Sequence, residues 1–406
     1  MFDPIFMILA GLLLAYSFSE FFRHFGFPRV IGQISAGLVL GLTPLKVLFF
    51  DSTNPLILGF LANLGIILLF FYIGLHLSFK GFSKTLSKSL SVSGFKALVP
   101  LILGSWFAFA FLKIDLLSSA IVGIALSAGA QSISLDLLEE LNLLKSSLGE
   151  MLVSVGVITD VFELLLTAVV LYFLNASLVS SSPVFLLASI IGFIVFLLVL
   201  RFGLISIALG FFELEEKSST SRFMAAMVIV LFIVSVADFI GIGAFIGAIS
   251  AGIILRQTIF ADKAIPDWKE HDIARSIHII AFGFLIPLFF VWIGFNTDLS
   301  LVFSDLFLVS GLVLISLIGV VGGTLAAVLI NKGSFNEGLL LGFGLSPKGD
   351  IGLILGALAL ESGFISSHLF SAIVAMSLIV TFISSIAFKF LLVNFKTSKN
   401  NFKKKK

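Results

Sequence analysis

The sequence predicts an all-α polytopic membrane protein with about thirteen transmembrane helices arranged as two inverted-topology repeats. The prediction depends on its composition, the succession of apolar segments and a series of motifs that occurs twice. Of 406 residues, 59% are hydrophobic and 12% are charged, and the mean hydropathy is +1.19. A soluble domain needs more charged residues to cover its surface. The net charge of +2 indicates no nucleic-acid partner, and the absence of cysteine excludes disulfides and thiolate metal sites.

Each crossing of a bilayer core requires about 20 mostly apolar residues. Segments of this kind follow one another with short loops, so no soluble domain is predicted between them. The first segment lacks the basic residues and the cleavage site of a signal peptide, and we expect it to be a retained helix. The predicted spans are 4–22, 29–45, 55–78, 91–112, 117–135, 147–174, 183–206, 219–239, 241–256, 274–296, 301–331, 336–361 and 367–394.

The distribution of lysine and arginine predicts the orientation. Of the 25 basic residues, all but three are assigned to loops after odd-numbered spans or to the C-terminal tail, and Lys96 is counted in this group. Lys46 and Lys113 follow even-numbered spans, and Lys348 lies within a span. Because basic loops remain in the cytoplasm, we expect an external N-terminus and a cytoplasmic C-terminus in the plasma membrane.

Three motifs occur twice in the same order. IGQISAGLVLG in the second span matches IGAISAGIIL in the ninth, FFYIGLHLS in the third matches FFVWIGFNTDLS in the tenth, and GIALSAGAQSIS in the fifth matches GFGLSPKGDIGL in the twelfth. Seven spans separate each pair, so the two copies face opposite sides of the membrane, as in many secondary transporters. The predicted domain organisation is one transmembrane domain (1–394), with an N-terminal helix (4–22), repeats at about 29–206 and 241–394, and a short basic cytoplasmic tail (395–406) that can contact anionic lipid.

The third pair of motifs predicts interrupted helices. SAGAQS and SPKGD place small, polar and helix-breaking residues near the middle of two spans. Pro347 removes a backbone donor, and Gly129 and Gly349 relax the local backbone. Such interruptions expose backbone dipoles to a cavity. The alternative is that both are continuous kinked helices packed through small residues.

Two carboxylates, Asp160 and Glu163, lie in the middle of the sixth span. Gly156, Asp160, Glu163 and Thr167 share one helix face at 3.6 residues per turn. A charge at this depth costs about 2.5–3.5 kcal/mol on insertion scales, so an acid here indicates a function. A desolvated carboxyl can take up a proton near neutral pH, and an ionised one can bind a cation. Such a site is a minimal exchanger.

Asp160 is therefore the predicted ligand of a transported monovalent cation and the predicted proton carrier. Hard cations prefer oxygen ligands, and the further candidates are the side chains of Thr159, Ser127 and Ser132 and the opened backbone. Glu163 is either a second ion- or proton-binding group or a protonated group bonded to a neighbouring helix.

Three polar residues beside the predicted interruptions are candidates for tuning the pKa of Asp160: Lys348, Asp350 and Gln131. For Lys348 and Asp350 the alternative is local neutralisation of exposed helix ends.

Taken together, the motifs resemble the monovalent cation:proton antiporter superfamily, in its branch of sodium/proton antiporters and potassium-efflux exchangers. The resemblance covers essentially 5–394, and its most specific parts are the Asp160 segment and SPKGD, which looks like the Pro-Arg-Gly-Glu segment of the family. The motifs that carry it are FPRVIGQISAGLVLG, LGIILLFFYIGLHLSF, LLEELNLLKSSLGEMLVSVGVITDVFELLL, IGAFIGAISAG, PLFFVWIGFNTDLS and LSPKGDIGLIL.

The resemblance implies a homodimer with a rigid dimerisation domain and a moving six-helix core, in which the fifth and twelfth spans are unwound and cross beside Asp160. It implies exchange of Na⁺, or K⁺ as the second choice, for H⁺ by elevator-like alternating access. Thr159 stands where many electrogenic members have an acid, and 301–331 contains no Lys or Arg where they have a lysine. Both departures favour electroneutral exchange, unless Glu163 or Lys348 supplies a second proton carrier.

Other functional classes predict other features. A sodium-coupled organic-anion symporter of related architecture would need a larger cavity and a second cation site. A channel or membrane sensor would need a selectivity filter or a signalling domain, and the sequence contains no motif for either. No enzyme activity and no cofactor are expected.

Overall fold

The computed structural model consists of helices throughout the residues that it describes. These are 4–49, 54–76, 86–130, 134–135, 137–138, 143, 146–179, 191–193, 195–199, 219–259 and 272–403. In the first half of the chain the helices are α1 (Pro4–His24), α2 (Arg29–Gly41), α3 (Thr43–Phe49), α4 (Asn54–His76), α5 (Leu86–Phe107, followed by a π-helical turn Ala108–Leu112), α6 (Leu116–Ser127) and α7 (Ser147–Val179).

The second half contains two helices with a π-helical turn inside them, at Ala281–Leu285 and at Ile318–Gly322. Its helices are α8 (Ser219–Phe239), α9 (Ala244–Ile259), α10 (Asp272–Ile280), α11 (Ile286–Phe295), α12 (Leu299–Ser304), α13 (Leu306–Leu317), α14 (Gly323–Ile330), α15 (Phe335–Gly344), α16 (Asp350–Glu361) and α17 (Ser367–Lys403).

Seven of the described helical segments are long and apolar enough to cross a membrane, and five shorter apolar helices accompany them. Twelve of the thirteen predicted spans overlap with one or more of the helices above. The remaining span, 183–206, lies largely outside the described residues, so the count of thirteen stays a prediction.

Aspartates begin several helices at the ends of the spans. The side chain of Asp115 accepts hydrogen bonds from the backbone N–H groups of Leu117 and Ser118 at the start of α6. Asp298 begins α12 and Asp305 begins α13 in the same manner. Each carboxylate satisfies backbone donors that have no partner within the helix, and this explains acids at these positions.

One compact unit comprises the described parts of 1–13, 46–79 and 168–292. Within it α4 and α9 pack backbone to backbone, because a Cβ atom at Gly74 would collide with the carbonyl oxygen of Ile249, and one at Gly252 with that of Phe71. Arg256 adds a hydrogen bond of 3.0 Å from its guanidinium to the carbonyl of Leu75. Glycine is thus required wherever these two helices cross.

The second compact unit comprises the described parts of 14–45, 80–167 and 293–406. Here the end of α11 crosses α2, and a Cβ atom at Gly294 would collide with the carbonyl oxygen of Ile34 and approach Gly37. Gly294, Ile34 and Gly37 are the positions that the predicted repeat pairs with Gly74, Ile249 and Gly252. The FFYIG and FFVWIG motifs therefore each pack on the Ile-Ser-Ala-Gly motif of the other copy. The inverted topology of the copies stays a prediction.

Both predicted interruptions are present in the second unit, and they contact each other. α6 ends at Ser127 and the backbone of Ala128 is extended, while 345–349 separate α15 from α16. The N–H of Ala130 donates a 2.7 Å hydrogen bond to the carbonyl of Pro347. A Cβ atom at Gly349 would lie 2.7 Å from the Cβ of Ala130. The alternative of two continuous kinked helices is therefore wrong.

We predict that Gly294→Ala lowers the melting temperature of the purified protein, because the added methyl group forces α2 and α11 apart. Overpacking of this kind costs roughly 1–3 kcal/mol. The matched control is Gly94→Ala in α5, where a Cβ atom meets nothing within 4 Å and alanine favours the helix by about 1 kcal/mol. Equal melting temperatures for the two variants would contradict the close crossing.

Candidate functional site

The candidate site lies on α7, in the second compact unit. Thr159, Glu163 and Thr167 are completely buried, and Asp160 is half-buried. Asp160 and Glu163 are one turn apart on the same helix face, as the sequence predicts. The surroundings of Glu163 therefore show what this face of α7 packs against.

The nearest charged group to Glu163 is Lys96 of α5. Its Nζ donates to Oε1 of Glu163 at 2.6 Å, and the two side chains are 1% and 0% exposed. The assignment of Lys96 to a cytoplasmic loop is wrong. α5 begins at Leu86, so Lys96 lies about 15 Å inside that helix, in contact with α7.

A polar stripe along α5 is the sequence signal that could have identified Lys96. Ser89 and Ser93 precede it at helical spacing on the same face. The hydroxyl of Ser89 contacts the Met151 sulfur at 3.6 Å, and that of Ser93 donates to the carbonyl of Val155 at 3.1 Å. The stripe thus marks the contact of α5 with α7.

Two ammonium groups satisfy the carbonyl end of the interrupted helix α6. Lys96 Nζ donates to the carbonyl of Ser127 at 3.1 Å, and Lys348 Nζ donates to the carbonyl of Leu126, which also accepts the hydroxyl of Ser316 at 3.1 Å. The last carbonyls of a helix lack intrahelical partners and form the negative end of its dipole. Two cations here compensate both deficits.

The carboxylate of Glu163 links this cluster to the interruption itself. Its Oε2 accepts the backbone N–H of Gly129 at 3.3 Å, while Oε1 accepts Lys96. A Cβ atom at Gly129 would lie 2.7 Å from the carbonyl oxygen of Leu345 and 3.0 Å from Lys96 Nζ. A glycine is therefore needed where the backbone, the lysine and the carboxylate meet.

Lys348 is anchored at its backbone as well as at its ammonium. Its N–H donates to the hydroxyl of Thr381 at 2.9 Å, and that hydroxyl donates to the carbonyl of Ser377 at 2.7 Å. Lys348 thus contacts the end of α6, in agreement with the interpretation that it neutralises a helix end. Its influence on the pKa of Asp160 stays a prediction.

The remaining predicted ligands are partly accounted for. The Thr159 hydroxyl donates to the carbonyl of Val155 at 2.7 Å, and the Ser127 hydroxyl donates to the carbonyl of Ala97 at 3.0 Å. A hydroxyl that donates retains lone pairs with which it can accept or bind a cation. Gln131, Ser132 and the side chain of Asp350 lie outside the described residues.

Comparison with known proteins assigns the chain to a family. The family model for the transmembrane region of sodium/hydrogen exchangers matches residues 6–394. The chain is 28% identical to a Na⁺/H⁺ antiporter of Enterococcus hirae over 94% of its own length and 97% of that protein. It is 24% identical to a Na⁺/H⁺-K⁺ antiporter of Bacillus cereus over 96% of both.

The fold also matches a solved structure of a sodium proton antiporter from Methanocaldococcus jannaschii. The TM-score is 0.68 at 16% identity, and the match covers 96% of this chain and 98% of the other. The apolar helices, the match along almost the whole sequence and the shared fold together show that the chain belongs to the sodium/hydrogen exchanger family of integral membrane transporters.

Proposed function

We propose that this protein exchanges a monovalent cation for a proton, with Asp160 binding the two in turn. The observation that carries the proposal is the position of Asp160 on α7. It lies half-buried one turn from Glu163, whose contacts bring this face of the helix to the interruption after α6. Na⁺ is the favoured cation because the relatives are named as Na⁺ exchangers, and K⁺ is the second choice.

Competition at one carboxylate is sufficient for exchange. An ionised Asp160 at mid-membrane depth is costly unless a proton or a cation compensates its charge. Hard cations prefer oxygen ligands, which Thr159, Ser127, Ser132 and the interrupted backbone can supply. Because the two ions share the carboxylate, binding of one displaces the other. The site therefore carries the cation across the membrane in one direction and the proton in the opposite direction.

The contacts of Glu163 favour one exchangeable charge for each cycle. Both of its carboxylate oxygens accept hydrogen bonds, from Lys96 and from Gly129, so Glu163 serves as a fixed counter-charge and not as a second carrier. An acid directly before Asp160 could carry a second proton, but this chain has Thr159 at that position. One-for-one, electroneutral exchange follows from a single carrier.

The transport cycle is alternating access with elevator-like sliding of a core in a homodimer. The support is the pairing of equivalent motifs at the two glycine crossings, which agrees with two inverted copies in one transmembrane domain. The N-terminus is outside and the C-terminus in the cytoplasm, as basic residues predict for a protein of the plasma membrane. Exchange in this orientation would contribute to pH homeostasis.

We predict that Asp160→Asn abolishes exchange, because the amide can neither bind a proton reversibly nor balance the charge of a cation. The assay follows a pH-sensitive dye in everted vesicles after pulses of Na⁺, Li⁺ or K⁺. Glu150→Gln makes the same change at an exposed acid in the first turn of the same helix and should exchange like wild type. An Asp160→Asn variant with wild-type exchange would refute the assignment.

We also predict that the exchange rate does not depend on membrane potential, because one positive charge moves in each direction. The measurement is Na⁺-driven proton movement in liposomes with the potential clamped at several values. The electrical work on a net charge is about 2.3 kcal/mol per 100 mV, which is large enough to be detected. A rate that changes with the clamped potential would contradict one-for-one exchange.

A further inference from the structure

We propose that Lys96 is a tethered cation that fills a second monovalent-cation site, formed by the carbonyl oxygen of Ser127 and the carboxylate of Glu163. The inference rests on the proposed function only in that the transported ion is a monovalent cation. It assigns to this site a ligand class, small alkylammonium and alkali ions, that the lysine excludes in the natural protein.

The surroundings of the ammonium are those of a cation site. Lys96 Nζ lies 2.6 Å from Oε1 of Glu163 and 3.1 Å from the carbonyl oxygen of Ser127. A carboxylate and a helix-terminal carbonyl are the oxygen ligands that transporters offer to Na⁺ at interrupted helices. The side chains of Lys96 and Glu163 are 1% and 0% exposed, so the oxygens face the lysine and not bulk solvent.

The covalent tether distinguishes this cation from a free one. A bound ion leaves when its concentration falls, whereas Lys96 stays in place because it is part of α5. The neighbouring carbonyl, that of Leu126, is occupied in the same manner by Lys348. Both of these helix-end carbonyls are thus held by cations of the chain itself. Asp160, on the same face of α7, is the proposed ligand of the transported cation.

A shorter side chain at position 96 should therefore convert a filled site into an open one. Lys96→Ala removes three carbon atoms and the ammonium, which together correspond to propylammonium. The variant keeps the carboxylate of Glu163 and the carbonyl of Ser127. We expect the full-length variant, purified in detergent, to melt at a lower temperature than wild type, because a buried carboxylate has lost its partner.

Propylammonium is the first probe for this variant. It should raise the melting temperature of Lys96→Ala by several degrees in a saturable manner, and leave that of wild type unchanged. Na⁺ and Li⁺ should do the same at higher concentration, since they lack the apolar chain that fills the space. Tetramethylammonium, which carries the same charge but donates no hydrogen bond, should have no effect.

Two matched variants separate a cation site from a simple cavity. Val92→Ala truncates another buried residue of α5, one turn away and without an acid, and should not respond to propylammonium. Lys96→Ala/Glu163→Gln keeps the space but removes the charge of the carboxylate, and propylammonium should not change its melting temperature either. If the melting temperature of Lys96→Ala does not respond to propylammonium, Glu163 binds a proton instead, and the proposal is overturned. If either control responds equally, the amine fills any cavity, and the proposal is overturned as well.

A second test applies if Lys96→Ala does not fold. Lys96→Ala is then solubilised and purified with propylammonium present throughout. If the amine fills the place of the lysine, the variant should be recovered as a folded, monodisperse protein with propylammonium and not with tetramethylammonium. Recovery with both cations, or with neither, would overturn the proposal.

The outcome is distinguishable from failure of the proposed function. The melting experiments use purified protein that need not transport, and they report only whether a cation occupies the place of the Lys96 ammonium. A chain that shows no exchange at all could still bind propylammonium after Lys96→Ala. Conversely, an active exchanger whose Lys96→Ala variant ignores the amine would keep its function and lose this site.

Discussion

The ion pair between Lys96 and Glu163 is the interaction on which the interrupted helices depend. Removing one partner of a buried pair leaves an uncompensated charge and costs about 3–5 kcal/mol. Here the loss would extend further, because Lys96 also holds the carbonyl of Ser127 and Glu163 also holds the N–H of Gly129. One pair of opposite charges therefore fixes a donor and an acceptor of the same stretch of opened backbone, on either side of Ala128.

The need to satisfy backbone groups explains why so many polar contacts surround the interruptions. In a bilayer a non-helical backbone is tolerated only where protein or a water-filled cavity provides its hydrogen bonds. Ala130 and Pro347 bond directly across the two interruptions. The Ser134 hydroxyl donates to the carbonyl of Gly344 at 2.7 Å, and that of Ser346 to the carbonyl of Gly342, also at 2.7 Å. The serines of these segments thus take over bonds that a continuous helix would make internally.

The sequence predicted the features that depend on local chemistry. Pro347 lacks a backbone donor and Gly349 lacks a side chain that restricts its backbone, so both disfavour a continuous helix, and the spacing of Asp160 and Glu163 places them on one face by helix geometry alone. Lys96 was misassigned because a count of basic residues by loop assumes that each one is solvated. Its partner, Glu163, is 67 residues away in sequence, and a pair at that separation exists only after α5 and α7 have packed. The Ser89–Ser93–Lys96 stripe indicates a polar helix face, but it does not identify the acid that this face contacts.

The two interruptions lie at positions that the predicted repeat pairs, but their chemistry differs. The spacing that pairs Gly123 with Gly342 also pairs Gly129 with Lys348. At the first position the chain offers a bare N–H group to Glu163, and at the second an ammonium to the end of α6. If the two copies are related by inversion, the equivalent positions of the interruptions account for the place of the crossing, and the difference at these two positions accounts for its charge. A duplicated framework can thus carry different charges in its two copies, because the copies need to agree in shape but not in charge.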